Sequence, residues 1–582
     1  MELTRSGHVD GFARDRLPPA SQWPRLLFEL PGLDYPERLN CAVELLDRTA
    51  ERLGDERPAV HDGEGGTWSY GGLRERVDRL VRVLTGELGL RPGHRVLLRG
   101  PTTPWLAACW LAVVKAGGIA VTVPAQQRAA ELAFAAETAA CSLALCDAGA
   151  LDELLAARVP GLTVVPFGGD GPDDLLARAG RRAPGPSPAA DTAADDVALI
   201  AFTSGTTGRP KGCVHFHRDV LAAADTFSAR VLRPRPDDVF AGSPQLAFTF
   251  GLGGLLVFPL RAGASTILMD RAGPQQLLAT IGRDRVSVLF TAPTAYRAML
   301  GLLDAGSAAD LSSLRRCVSA GEHLPDAVWT AWYARTGLRL INGLGTTELL
   351  HIVVAAADAD SGPGTTGRPV PGWRAAVLGP DGRPVPDGRE GLLAVRGPVG
   401  CRYLADPRQT EYVRHGWNVT GDRYVREPDG RFRYVSRADD MIISAGYTIA
   451  GPQVEEVLLD HPDVVETAVV GRPDPLRGQV VVAYAVVRDG VPRDTATAAA
   501  LRSFVRARLA PYKSPRAVVF VDALPRTATG KLQRHRLRVP PGPESTGPES
   551  TGPKTTGPET TGPEPAEPEP PRSDPTGPVR TA

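Results

Sequence analysis

Residues 202–212 read FTSGTTGRPKG and follow a short apolar run, Val197 to Phe202, with the character of a buried strand. The strand opens into four small hydroxyl side chains and three glycines gathered around one lysine. Glycine lets backbone N–H groups approach an anion closely, hydroxyls add donors, and Lys211 adds a mobile positive charge. The segment Thr203, Ser204, Gly205, Thr206, Thr207, Gly208 and Lys211 is therefore a phosphate cradle. It is not a Walker A loop, because Pro210 precedes the lysine and Gly212 follows it where a magnesium-binding hydroxyl would stand. A kinase-like or motor ATPase reading is disfavoured.

The remaining composition narrows the class. At 582 residues the chain is too long for one simple core, and three or four folding units are expected. Basic and acidic residues balance at 66 each, so there is no bias toward nucleic acid or an anionic membrane. No apolar leader stands in residues 1–20, and the most apolar stretch, Leu106 to Val123, is broken by Lys115 and a Gly-Gly pair. It reads as a core helix running into a strand. The seven cysteines form no Cys-x2-Cys pair and no His/Cys cluster, which fits a reduced, cytoplasmic protein without structural zinc. Only five of the 66 basic residues are lysines, at 115, 211, 513, 531 and 554. A lysine in such an arginine-rich chain marks places where a compact ammonium on a flexible stem is wanted. Lys211 and Lys531, both in Gly/Thr-rich surroundings, are the strongest candidates.

From about residue 40 to 184, apolar helical patterns such as Val77–Leu88 alternate with strand-like runs such as Arg95–Leu98, and Gly168–Ala193 reads as loop. The alternation continues through 238–268, Val286–Phe290 and Leu338–Asn342, the pattern of layered α/β structure. After Gly391 come strand-like runs at Leu392–Arg396 and Phe432–Val435. From Pro452 the order is helix (452–459), strand (464–471), strand (479–487), helix (498–509), strand (517–520), a compact α+β unit of roughly one hundred residues. From Gly542 the chain repeats a Gly-Pro-x-Ser/Thr-Thr pentamer and reads as disordered.

Further polar clusters follow the glycine loop. Thr346, Thr347 and Glu348 follow an apolar strand; the hydroxyls suit a phosphate and the carboxylate suits Mg2+. Asp422 follows a tight turn and suits a pair of ribose hydroxyls. Arg437, Asp439 and Asp440 stand at an expected domain junction, and Lys531 lies on a glycine-hinged loop near the end of the folded region. Singly, each has a plain alternative: a helix cap for Thr-Thr-Glu, a turn residue for Asp422, a surface ion pair for Arg437–Asp440, a solvated charge for Lys531.

In this order the clusters resemble the ANL adenylate-forming enzymes, the family of acyl- and aryl-CoA ligases, adenylation domains and luciferases. The resemblance runs from about residue 39 to 537. Residues 344–348 (LGTTE) resemble the family's Tyr-Gly-x-Thr-Glu, with Leu344 in place of the usual aromatic. Residues 416–422 (GWNVTGD) and 434–442 (YVSRADDMI) resemble the segments of the ribose-binding Asp and Arg, and 525–531 (PRTATGK) the loop of the catalytic lysine. Residues 319–322 (SAGE) resemble the segment lining the adenine site. Residues 342–352 and 246–253 look like those of benzoate-type CoA ligases, and 442–452 look closest to 2-aminobenzoate:CoA ligases. Ser436, Ile443 and Gln453 depart from the residues common in the family.

The resemblance implies a large multi-subdomain N-terminal adenylating domain at 39–438, built of layered α/β sheets plus a small β-barrel-like part. It also implies a small mobile α+β domain at 439–540, with an extension at 1–38 and a tail at 541–582. It implies Lys531, Glu348 and Thr347 in catalysis, and Gly321, Glu322, Gly343, Leu344, Gly345, Thr346, Asp422 and Arg437 with the glycine loop around ATP and AMP. Phe248, Thr249, Phe250, Gly251, His351 and Ile352 would line an acyl pocket, Asp439 would be the hinge, and Gly446 would face CoA. His215 and His217, right after the glycine loop, read as scaffold or pocket wall and not as acid–base groups. The implied reaction uses ATP and Mg2+ to activate an aromatic carboxylate of benzoate, 2-aminobenzoate or 2-hydroxybenzoate type and transfers it to coenzyme A. A stand-alone enzyme loading a carrier protein in trans is the alternative, and a non-catalytic nucleotide-binding protein is a rival of another class.

Overall fold

The apolar runs on either side of the glycine loop form an antiparallel hairpin, Val197–Phe202 against Gly212–Phe216, closed by Thr203 N–H donating to the Lys211 carbonyl at 3.0 Å. This computed structural model describes residues 3–203, 210–270, 272–444, 447–474, 477–509, 511–527 and 532–538. The hairpin completes a six-stranded sheet in the order Thr163–Phe167, Leu143–Asp147, Arg95–Gly100, Ile119–Pro124, Val197–Phe202, Gly212–Phe216. All pairs but the last are parallel. Arg95–Gly100 and Ile119–Pro124 are buried along their whole lengths, as central parallel strands covered on both faces must be.

Helix Pro104–Lys115 forms because Thr103 caps it, accepting from Leu106 N–H at 3.3 Å, and Pro104 stands where no N–H is needed. It is buried from Leu106 to Lys115 and packs on Tyr70–Gly86, whose Leu73, Val77, Leu80, Val81 and Leu84 make one apolar stripe. The stretch expected to be a core helix running into a strand is thus Pro104–Lys115 and Ile119–Pro124. Lys115 itself is buried between Asp47 at 2.5 Å and Asp78 at 2.8 Å, so this lysine is a core ion-pair partner. Two expected boundaries change. The helix read from Val77 begins at Tyr70, where Ser69 accepts from Gly72 N–H at 3.1 Å. Gly168–Ala193 is not all loop: Asp174 caps a helix at Leu175–Gly180, whose Leu175 and Ala179 are buried.

A nine-stranded sheet carries the site. Its parallel core runs Leu340–Gly345, Arg316–Ala320, Val288–Thr291, Val239–Gly242, Ser265–Ile267, Pro58–His61, with antiparallel Ile352–Ala356 and then Arg368–Pro369 beyond one end and Thr67–Ser69 beyond the other. The part expected to be barrel-like is a five-stranded antiparallel sheet in which Trp417–Arg426 pairs with Glu390–Arg396, Val413–Arg414 and Phe432–Arg437. After the 3-10 turn Ala438–Asp440, a separate sheet forms from Met441–Ser444, Tyr447–Ala450, Val464–Asp474, Gly478–Val487 and Ala517–Phe520. Helices Gly451–Leu459 and Thr495–Arg508 contribute to its core through Val454, Leu458, Leu501 and Val505. The segment before residue 39 is stitched to the turn ahead of Val197: Thr4 N–H donates to Asp195 at 3.1 Å and Gly7 N–H to Asp196 at 2.7 Å. The tail from 541 lies outside the described residues.

Candidate active site

Parallel strands deliver loops from their carboxyl ends to one face, and a cleft forms there. In the nine-stranded sheet Val239–Gly242 leads into Ser243 and Gln245, Val288–Thr291 into Ala292 and Thr294, and Arg316–Ala320 into Gly321 and Glu322. Leu340–Gly345 leads into Thr346, Thr347 and Glu348, and all of these line one cleft of about 860 Å3. The same cleft is lined by Thr420, Asp422, Tyr434 and Arg437, and by Glu455, Glu466, Arg526, Arg534 and Arg538 of the C-terminal unit.

The sequence-predicted residues converge on this space. Thr203, Lys211, Phe248, Thr249, Phe250, Gly321, Glu322, Gly343, Leu344, Gly345, Thr346, Thr347, Glu348, His351, Ile352, Asp422 and Arg437 all line it. Gly251 does not. It is buried, and a side chain there would meet the Gln245 carbonyl oxygen at 2.0 Å, so this glycine serves a close backbone approach beneath the pocket. Ser204, Gly205, Thr206, Thr207, Gly208, Gly446 and Lys531 lie outside the described residues, as does the side chain of Asp439, whose backbone sits in the turn between the two units.

The motif Thr346, Thr347, Glu348 leaves the sheet at a register shift at Gly345, where a β-carbon would come within 2.6 Å of the His351 carbonyl oxygen. Three side chains then grip it. Tyr412 hydroxyl lies 2.9 Å from Thr346 Oγ1, His215 Nε2 lies 2.8 Å from the Thr347 carbonyl oxygen, and Tyr403 hydroxyl lies 2.6 Å from Glu348 Oε1. Burial, reinforced by the Glu348 carboxylate, pushes the Tyr403 phenol far up, so Tyr403 donates. Burial pushes His215 down to about 4, so it is neutral and its Nε2–H donates to the carbonyl. Lys211 Nζ stands 4.0 Å from Glu348 Oε1 and 4.7 Å from the Tyr403 ring centroid. Its backbone N–H donates to Thr203 Oγ1 at 3.1 Å.

Asp422 and Arg437 face each other across paired strands at 3.2 Å. At the acyl end, His351 is buried among Phe227, Phe250, Phe258 and Phe290, with ring centroids 4.4–6.2 Å away. Burial in this apolar cage pushes it down to about 3, which keeps the imidazole neutral. Its Nε2 lies 3.4 Å from the Phe250 carbonyl oxygen, and Nδ1 has no hydrogen-bond partner among the described residues. Of these rings only Phe250 and His351 line the cleft, together with Phe248, Thr249 and Ile352, while Phe227, Phe258 and Phe290 are buried behind them; the lining is apolar with one uncharged imidazole, which suits a flat ring.

Sequence reasoning missed the two tyrosines and Arg526. Tyr403 and Tyr412 stand in a stretch with no pattern of its own and are indistinguishable from core aromatics until folded. Arg526 joins the two units, pairing with Glu322 at 3.1 Å and Glu466 at 3.2 Å. Its position five residues before Lys531 was the available signal. His217, read as scaffold, accepts from Cys41 N–H at 3.1 Å.

Residues 46–403 match the AMP-binding enzyme family and residues 453–531 match the AMP-binding enzyme C-terminal domain. Among curated proteins, the benzoate–CoA ligase of Thauera aromatica is 34% identical over 87% of this chain and 97% of that protein. Among solved structures, an anthranilate CoA ligase, AuaEII, in complex with anthranoyl-AMP superposes with a TM-score of 0.82 at 31% identity, covering 88% of this chain and 98% of that one. A benzoate CoA ligase from Burkholderia xenovorans LB400 gives 0.78 at 31% identity, covering 86% and 100%. The chain belongs to the AMP-binding enzyme family.

Proposed function

We propose that the protein is an AMP-forming aryl-CoA ligase. It activates a benzoate-type acid with ATP and passes the acyl group to coenzyme A. The observation that carries this is the conjunction in one cleft of Lys211 with Glu348, the Asp422–Arg437 pair and an apolar end lined by Phe248, Phe250, His351 and Ile352. The named relatives are CoA ligases of benzoate and anthranilate, which supports CoA over a carrier protein as acceptor.

In the first half-reaction the acid's carboxylate attacks the α-phosphorus of ATP and pyrophosphate leaves. In the second the CoA sulfur attacks the acyl carbon of the mixed anhydride and AMP leaves. The substrate is its own nucleophile, so the chain's work is positioning and charge stabilisation. Lys211 and the glycine loop hold the departing phosphates, Asp422 and Arg437 hold the ribose, and Lys531 bridges carboxylate and α-phosphate. Glu348 fits a hard cation: its Oε2 accepts no hydrogen bond from a described residue, and the carboxylate lines the cleft. Mg2+ held there with Thr347 nearby would neutralise charge on the β,γ-phosphates. His351, neutral and polar at one edge, faces the substituted side of the ring. Domain 439–540 turns about Asp439 between half-reactions, withdrawing Lys531 and bringing the Gly446 face to the thiol. A cytoplasmic location goes with this use of ATP and CoA; no helix among the described residues is long and apolar enough to cross a membrane.

Lys531→Ala tests the division of labour. Carboxylate-dependent pyrophosphate exchange is expected to fall by ~10²–10³, while supplied acyl-adenylate is still converted to thioester with CoA. Equal loss of both half-reactions in a folded variant would remove Lys531 from the role given it.

A further inference from the structure

We propose that Tyr403 is a positioning residue that keeps the Lys211 ammonium and the Glu348 carboxylate from closing into a direct ion pair, so that both stay presented to the triphosphate. The proposal rests on the roles given above to Lys211 and Glu348.

Two opposite charges with little solvent between them attract strongly, and a lysine on a flexible stem closes such a gap readily. Here Nζ stops 4.0 Å from Oε1. That same Oε1 accepts the Tyr403 hydroxyl at 2.6 Å. The oxygen nearest the lysine therefore already accepts one short hydrogen bond, which lowers what the lysine gains by closing on it, and Oε2, which accepts none from a described residue, is the better placed for a cation. The same tyrosine offers its ring to the ammonium, 4.7 Å from the centroid, which supplies a competing and weaker partner than a carboxylate. One side chain thus satisfies both charges without joining them.

The backbone holds Tyr403 in that place. Residues 402–404 run beside the strand that follows Lys211: Val214 N–H donates to the Arg402 carbonyl at 2.8 Å and Leu404 N–H to the Gly212 carbonyl at 2.9 Å. Tyr403 N–H donates to Gln409 Oε1 at 2.9 Å, and Gln409 Nε2 donates in turn to the Cys401 carbonyl at 3.0 Å. Arg402 is fixed by a fully buried ion pair with Asp219. These contacts fix the Tyr403 backbone independently of the two charges, and burial of its ring against Tyr412, 6.0 Å between centroids, keeps the hydroxyl at Glu348.

Tyr403→Phe removes one hydroxyl and leaves the ring on Lys211 and Tyr412, so the fold is retained. The ATP dissociation constant, measured by calorimetry on the full chain in Mg2+ and again in EDTA, is expected to weaken about tenfold in both, because Lys211 must now be pulled off Glu348. Conversion of supplied acyl-adenylate to thioester is expected to stay at the wild-type rate. In a Glu348→Gln background no carboxylate remains to capture the lysine, and Y403F is expected to change ATP binding less than twofold. Wild-type ATP affinity in Y403F, or an undiminished tenfold penalty in the E348Q background, overturns the proposal. If Lys211→Ala leaves ATP affinity unchanged, the underlying reading of the phosphate site fails instead, and the proposal falls with it.

Discussion

Three buried histidines, His215, His217 and His351, sit where an imidazolium has no carboxylate of a described residue within hydrogen-bond reach. Burial pushes them down to about 4, about 3 and about 3. The folded chain therefore holds them neutral, while the unfolded chain protonates each near the ordinary value of about 6.5. The sign follows: their contribution is intact above about pH 6.5 and is lost as pH falls toward 4, at about 2 kcal/mol per histidine by pH 5. Thermal unfolding is expected to show a melting temperature that declines steadily from pH 6.5 to 5, and His217→Gln, which keeps an acceptor for Cys41 N–H, is expected to lessen the decline by about a third. A melting temperature flat from pH 7.5 to 5 would refute this. Near neutral pH none of the three changes charge, so in the acyl-pocket role proposed for it His351 acts as a neutral imidazole, not as an imidazolium. His351 was legible as a pocket residue because it follows the motif at 344–348. Its neutrality was not, because the phenylalanines that cage it lie 61 to 124 positions away in sequence at the nearest and farthest, Phe290 and Phe227.

At the scale of elements, the short helix Arg534–Arg538 ties the C-terminal unit to the junction. Arg534 Nη2 donates to both Glu455 oxygens at 2.7 and 2.8 Å, and Arg538 donates to Asp440 at 2.5 Å. Glu455 also accepts from Val469 N–H at 2.7 Å, which links helix Gly451–Leu459 to strand Val464–Asp474. Arg534→Ala leaves a largely buried carboxylate without its guanidinium and is expected to destabilise this unit by about 3 kcal/mol. Hydrogen exchange is expected to quicken at Val469 and its neighbours, with protection in Arg95–Gly100 unchanged. Uniform acceleration across both units would contradict the local character of the tie. The elements of this unit were legible because its periodicities are short and cleanly alternating, and Ala517–Phe520 falls where it was expected. Leu175–Gly180 was hidden by the Gly-, Asp- and Pro-rich residues on either side. The three-sided grip on Thr346–Glu348 was hidden for another reason: Tyr403 is 55 residues from Glu348 and His215 is 132 from Thr347, and each contact exists only once separate strands are laid side by side.

Across the whole molecule, the sheets bring residues between 203 and 538 to one cleft, with the arginine-bearing face of the C-terminal unit forming a wall of it. The glycine loop's place at the end of a buried strand, the order of the clusters and the α/β layering could all be read in advance. What could not be read is how the charges are kept from neutralising one another, since that depends on the distances between Lys211, Tyr403 and Glu348. The complete reaction follows: an aromatic acid enters the cleft, is adenylated, and leaves as a CoA thioester. The direct measurement supplies the full-length protein with ATP, Mg2+ and CoA and a panel of benzoate, 2-aminobenzoate, 2-hydroxybenzoate and short fatty acids, and follows AMP and acyl-CoA together. The account predicts stoichiometric AMP and aroyl-CoA from at least one of the benzoates, with kcat/KM at least about tenfold above any fatty acid. AMP release without aroyl-CoA, or a preference for the fatty acids, would contradict it.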